Sequence, residues 1–475
     1  MPKQDSAVLG GQRVSIGYTD RPASGWGGLV VFTSYLERIG DRDLLVRALP
    51  DGRTSPNQIG VVDMVLWLFA TVLTGGRRFA HAERLRADEV MQAILSMRRV
   101  PSAMTLTRYF GGFVRSQVEH LSEVLGQYLA SRLKSSSLGS VLDLDSTVFE
   151  RYGHQEGSLK GHNPRKHGRP SHHPILAMLA ESKMILHAWL RSGNTGTSRG
   201  VSAFLAETLA KLPEGYRLYA LRADSGFFVT EFLEDLEARQ LPYAIVARMT
   251  RPLQHAIYAV QHWAPFGPGL CAAEVRYQAH GWKQPRRIVV IREEERERPQ
   301  ARGRKLFDAP GYTFHAIVTT LTLPPAETWR FYNHRADCEN RLKELKDDFG
   351  ADGFCLDSFD GTEAVFRLLC FLFNLVAEFK REVTANPAPR LSTLRSQVFV
   401  AGALLEPARP GPRLRLALRG TWRLRFSGLL ARVNSEITST VSQLHNQPDS
   451  INFPTPRPWK TRRSRCQKTQ FAAAN

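Results

Sequence analysis

With 475 residues the chain is long enough for two to four domains, and a hydrophobic fraction of 43% is enough for sizeable buried cores. Its 64 Lys+Arg against 45 Asp+Glu leave a formal net charge of +19, which points to a polyanionic partner, nucleic acid before an anionic membrane surface. Five cysteines without a Cys-x-x-Cys pair argue against a zinc knuckle or a disulfide framework and for a reducing compartment. The N-terminus carries no secretory pattern, and the most apolar run, Met64 to Leu73, is too short to span a bilayer. A soluble cytoplasmic protein with no membrane partner is expected.

In chain order, residues 1–139 read mainly as helices with polar breaks. Met64 to Phe69 is apolar almost all round, as a buried helix is. Val100 to Tyr109 offers a turn, a Ser suited to capping and a basic amphipathic run, compatible with a helix-turn-helix reader or with two packed structural helices. From 140 to 249 strands and helices alternate. The strands are expected at Val141–Asp145, Pro174–Leu179, Met184–Arg191, Leu218–Asp224 and Tyr243–Arg248, with helices at Gly200–Lys211 and Thr230–Arg239. That alternation is the pattern of an α/β domain.

Between 250 and 322 the pattern turns β-like, with runs at Cys271–Ala279, Arg286–Arg292 and Tyr312–Thr320 around a charged stretch, Glu293–Lys305. It reads as an antiparallel insertion hung on the α/β core. Helical periodicity resumes from Ala326 and over Thr362–Lys380, so 323–380 returns to the core domain. Residues 381–475 are Pro- and Arg-rich. From Arg390 to Asn475 there are 15 basic and 3 acidic residues, and the segment closes on Lys460, Arg462, Arg463, Arg465 and Lys468. Such a tail reads as a clamp on backbone phosphates.

Three acidic positions can carry chemistry. Asp143 and Asp145 lie on one strand and face the same way because side chains alternate, so geometry alone leaves the choice open. Asp145 is preferred as nearer the strand end, where ligands of α/β sheets gather. Asp224, in Ala223-Asp224-Ser225-Gly226-Phe227, ends an apolar strand before a helix, a place a plain helix cap also fills.

The third lies in Tyr332 to Lys346, read as one helix. At about 100° per residue, Tyr332, Arg335, Glu339 and Lys346 fall within about 60° of one another. Phe331, Cys338, Leu342, Leu345 and Phe349 form an adjoining apolar stripe, which anchors the helix and leaves Glu339 at the margin of the buried face. Glu344 and Asp337 point to the opposite side. Two aspartates and a glutamate are oxygen ligands suited to Mg²⁺, for which Mn²⁺ can substitute. Two such ions serve phosphoryl transfer, with Arg335 and Lys346 on DNA phosphates and Tyr332 within reach of one. A solvated salt-bridged face is the plainer meaning of the same charges.

The spacing Tyr332-x-x-Arg335-x-x-x-Glu339-x-x-x-x-x-x-Lys346 resembles the Y-R-E-K signature of the insertion-sequence-4 superfamily of bacterial transposases. Asp145-Ser146-Thr147 and Ala223 to Phe227 resemble its first and second catalytic aspartates. More narrowly, His167 to Ser171, Leu190 to Thr195 and Gly75 to Leu85 resemble the insertion-sequence-1380 family. The resemblance runs from Leu29 to the Arg425 region.

It implies a ribonuclease-H-like α/β catalytic core interrupted by the β-rich insertion, with a helical N-terminal region for DNA binding or dimerisation and a basic C-terminal tail. The separations, 79 positions from Asp145 to Asp224 and 115 from Asp224 to Glu339, leave room for that insertion. The implied activity is cut-and-paste transposition by a metal-dependent endonuclease and strand transferase. It would bind terminal inverted repeats and target DNA as a homodimer, in a bacterial cytoplasm close to the nucleoid. The alternative is a DNA-binding protein descended from a transposase that does not cut.

Two smaller features complete the expectations. His162, His167, His172 and His173 sit with Lys160, Arg165, Lys166 and Arg169, better suited to a DNA-touching loop than to zinc. Trp282 is the candidate platform for a base turned out near the cut.

Overall fold

Strand alternation decides the layout, because each central strand sends one set of side chains to each of two cores. The computed structural model describes residues 5–435 apart from 53–54, 56, 162, 164–165, 295–310, 384–388 and 410. The basic run Lys460–Lys468, Cys466, His162, Arg165 and most of Glu293–Lys305 lie outside the described residues. Met1–Asn434 forms one compact unit.

The N-terminal part is helical, as its pattern predicts, after a short hairpin of Ser6–Leu9 with Gln12–Ser15. Its most apolar helix, α1 (Val61–Leu73), has every residue buried except Asp63. Ser102 caps the helix Ala103–Gly111 by accepting from the Thr105 N–H at 3.1 Å, while Leu106 and Phe110 of that helix are fully buried. The last helix of this part is α2 (Arg115–Arg132).

The α/β elements follow where expected. They are β1 (Ser140–Ser146), β2 (Ile175–Leu179), β3 (Met184–Trp189), α3 (Val201–Ala210), β4 (Leu218–Ala223), α4 (Thr230–Ala238) and β5 (Tyr243–Val246). Four strands come next: β6 (Ala264–Gly267), β7 (Leu270–Tyr277), β8 (Arg286–Glu294) and β9 (Tyr312–Thr319). The helices α5 (Pro325–Asn333), α6 (Ala336–Asp347) and α7 (Phe359–Val383) complete the frame.

All nine strands belong to one sheet, in the order β6-β7-β8-β9-β5-β4-β1-β2-β3. β1, β4 and β5 run parallel; β2 runs antiparallel to β1, and β3 antiparallel to β2. The segment 250–322 is therefore not an appendage. β9 pairs antiparallel with β5, Val246 opposite Ile317, and carries the sheet outward through β8, β7 and β6.

On β2, Ile175, Ala177 and Leu179 enter one core with Leu142 and Leu144 of β1, α3 and α4. Leu176 and Met178 enter the other, with α6, α7 and the N-terminal helices. Period two on β1 then places Asp143 and Asp145 on the α6 side of the sheet. The second core also takes Leu391, Leu394, Val398 and Phe426. Segments on both sides of the boundaries expected at 139 and 380 thus share one core. The long helix α7 makes this possible: Asn374 fastens it to β3 by bonding both the N–H and the carbonyl of Ile185 at 2.8 Å.

Candidate active site

Asp143 and Asp145 face the same side, and their partners separate them. Asp143 is held at both oxygens by Arg222 of the neighbouring strand β4, at 2.7 and 2.8 Å, with both side chains buried. The pair is committed to structure. Asp145 instead accepts from the Ser146 N–H at 2.8 Å and meets a guanidinium Nη2 of Arg335 at 3.1 Å. Asp224 follows two residues after Arg222, at the end of β4, and accepts from the Gly226 N–H at 2.9 Å as the cap of a short turn.

The third carboxylate arrives on α6. Cys338, Leu342, Leu345 and Phe349 are buried as the apolar stripe predicts. The last three each contribute about 1.5–3 kcal/mol for full burial of a large side chain, whereas Phe331 is half-buried against a different cluster. Cys338 lies against Met178 of β2, Sγ to Sδ 3.6 Å. That seat leaves Glu339 exposed at the edge, its carboxylate 2.8 Å from Nη1 of Arg335. Arg335 thus bridges Asp145 and Glu339. The expected single helix is broken there. Arg335 N–H bonds back to the Tyr332 carbonyl and Cys338 N–H to that of Arg335, both at 2.9 Å, a tightened turn between α5 and α6.

The far end of α6 is fixed from the N-terminal part. Arg77 donates to the Lys346 carbonyl and pairs with Asp352, both at 3.3 Å, placing a cation at the helix C-terminus. Gly350, at φ +66, and Gly353 lie so close to Arg77 that a Cβ would be 2.8 Å from its Cα or 2.1 Å from its carbonyl oxygen. The Lys346 side chain reaches back to the Thr147 hydroxyl at 2.9 Å, tying α6 to the loop after β1. Glu344 points away from the site, as predicted, but into a buried contact with Lys380 and the Leu391 N–H.

Electrostatics follow from this packing. Burial pushes the Asp145 carboxyl up to about 6, and the negative charges of Asp224 and Glu339 add to it against the pull of Arg335. Burial opposes the Arg335 charge, yet Asp145, Tyr332 and Asp224 outweigh it and raise its pKa. Burial pushes the Tyr332 phenol up to about 12. Among the described residues no three Asp, Glu, His or Cys side chains stand together as a ready metal cage. The donors nonetheless fit a hard divalent cation: all three are carboxylates, and their mutual repulsion is what a cation relieves.

Over residues 7–437 the chain matches the family described as transposase DDE domain, group 1. The chain belongs to this family of DDE transposases. No curated protein matches it. Among solved structures it is similar to a chain of the cryo-EM structure of piggyBac transposase synaptic complex with hairpin DNA. The identity is 10% and the TM-score 0.44, covering 80% of this chain and 81% of that one.

The remaining expected site residues of this DDE transposase lie outside the carboxylate network. Arg169 is exposed and stacks on Tyr152 at 4.6 Å, beside Lys166, forming a separate basic surface. Trp282 is a correction. It is 6% exposed, packed against Phe228 and Tyr277, with Arg286 over its ring at 4.6 Å, so no face is open to a base. His172 and His173 are buried and His167 is exposed, and they form no metal group among the described residues.

Sequence reasoning gave no role to Arg222, Thr147 or Thr197. A lone cation inside the apolar strand Leu218–Ala223 was the available signal for Arg222. The Thr197 hydroxyl lies 3.3 Å from that of Ser146, and a Cβ on Gly226 would lie 2.7 Å from its methyl. Thr197 therefore touches the neighbours of both aspartates.

Proposed function

We propose that this chain is a cut-and-paste DNA transposase that binds the inverted-repeat ends of its element, cleaves strands and joins them to target DNA. The narrower place within the insertion-sequence-1380 family is part of the same reading. The observation that carries it is the Arg335 bridge, which brings Asp145 of β1 and Glu339 of α6 onto one group, with Asp224 close enough to act on Asp145 and Arg335. The sheet order supports a ribonuclease-H-like core: β3-β2-β1-β4-β5, with β1, β4 and β5 parallel.

Asp145, Asp224 and Glu339 would hold Mg²⁺, or Mn²⁺ in its place. When bound, divalent ions supply charge that activates an attacking oxygen and steadies a leaving one. The chain's own residues do the rest. Arg335 carries a permanent positive charge into the site and matches a phosphate's two oxygens with its fork. Lys346 and Tyr332 line the same helix–turn–helix, where Lys346 offers a second cation to the DNA backbone. Two copies of the chain would bring two transposon ends together.

The test is nicking and joining of element-end duplexes. Asp145→Ala, Asp224→Ala and Glu339→Ala should each remove Mg²⁺- or Mn²⁺-dependent cleavage, by at least about 10³-fold in rate if the group acts as a unit, while end binding persists. Substantial cleavage by any of the three sinks the assignment. Tight binding by the wild-type chain without nicking under any divalent ion favours the non-cleaving alternative.

A further inference from the structure

Arg191 lies two residues past the end of β3 and is buried at 7% exposure, yet it has no carboxylate partner among the described residues. Its Nε donates to the His173 carbonyl at 2.9 Å. Its Nη1 is surrounded by the carbonyls of Gly196, Thr197 and Arg199 at 3.4, 3.1 and 3.0 Å. Its Nη2 is buried without an acceptor. Burial alone pulls its pKa down to about 10, so the group stays charged at neutral pH. An internal guanidinium wrapped by one loop turns that loop's carbonyls inward.

Peptide planarity fixes the consequence. In a trans peptide the N–H of the next residue points opposite to the carbonyl. The inward carbonyls of Gly196, Thr197 and Arg199 therefore turn the N–H groups of Thr197, Ser198 and Gly200 outward. Among the described residues none of these three N–H groups has an acceptor. Helix α3 begins at once, at Val201, and its Gly200 cap supplies no side-chain acceptor to the first turn. Exposed Arg199 lies on the same loop. Outward N–H groups, a helix N-terminus and a cation on one loop are the elements of an anion nest.

We propose that the loop Asn194–Gly200 is a backbone nest for a phosphodiester of the DNA strand entering the site, with buried Arg191 as the positioning residue that holds it open. Thr197 fixes its place, since it touches Ser146 beside Asp145 and Gly226 beside Asp224. The identity of the anion rests on the transposase reading; the existence of the nest does not.

The experiment is equilibrium binding of a fluorescently labelled duplex to the full chain over a salt series, without divalent ions. Arg199→Ala should weaken binding several-fold and make the log–log salt slope shallower by about one. Arg191→Met, whose side chain is buried and out of direct reach of DNA, should shift the slope in the same direction. If Arg191→Met does not fold, Arg199→Ala decides alone. Wild-type affinity and slope in a folded Arg199→Ala chain overturn the proposal. So does inorganic phosphate that raises the wild-type melting temperature and not the variant's while the duplex slope is unmoved, because the loop then takes free anion. A wild-type chain that never nicks DNA removes the transposase reading but leaves this slope test standing.

Discussion

Asp143 and Arg222 sit in adjacent parallel strands, both within a few per cent of full burial, joined at two points. Removing one charge leaves the other buried and unpaired, which typically costs about 3–5 kcal/mol. Asp143→Asn should therefore lower the melting temperature strongly. Asp145→Asn should do much less, because burial already disfavours its charge and Arg335 keeps Glu339. Thermal melts of both variants beside nicking assays check this. If Asp145→Asn is the more destabilised, the structural and catalytic roles given to the two aspartates are exchanged. Alternation along Val141–Asp145 was legible in the sequence. The choice between the aspartates was not, because Arg222 lies 79 positions away and only the β1–β4 register brings it alongside.

At the scale of elements, strands and helices of the α/β part fall within a few residues of their expected places, since apolar runs and their period are local properties. The turn at His334–Arg335 is not local in that sense. It carries Arg335 onto Asp145 of β1, a partner 190 positions away, while the signature residues on either side still read as one helical face. The buried histidines give a test at this scale. His172 accepts from Nε of Arg151 at 2.9 Å, and His187 of β3 stacks on Phe204 of α3. Burial first, then Arg151, pulls His172 down to about 4, and burial pulls His187 to about 4. Both are neutral in the fold and take up protons when unfolded. Stability is then whole above about pH 6.5 and lost as pH falls toward about 4, by about 3 kcal/mol for each histidine. Denaturant midpoints should drop across that window, and the drop should shrink in His172→Gln. An unaltered pH profile in that variant would remove His172 from the account.

For the whole molecule, the large departure from expectation is the sheet. Cys271–Ala279 and its neighbours were legible as strands, but not their continuation of the central sheet, because β9 finds β5 about seventy positions back, a pairing no local pattern encodes. The same holds for the core shared by N-terminal helices, α7 and Leu391–Phe399. Charge was legible from composition alone, and it yields the last prediction. Among the described residues no helix is long and apolar enough to cross a membrane. Membership of a transposase family makes DNA the polyanion to test. Cutting the chain after Ser435 removes six Lys and Arg and two acids from the net charge of +19. Met1–Asn434 has its own core, so the melting temperature should hold. Duplex affinity at low salt should fall, and the log–log salt slope should become shallower by up to about five if all six cations meet phosphates. A fall in affinity with nicking retained at saturating DNA would assign the segment to holding DNA. An unchanged slope would place the electrostatic footprint wholly on Met1–Asn434, where Arg199, Arg248 and Arg169 are exposed.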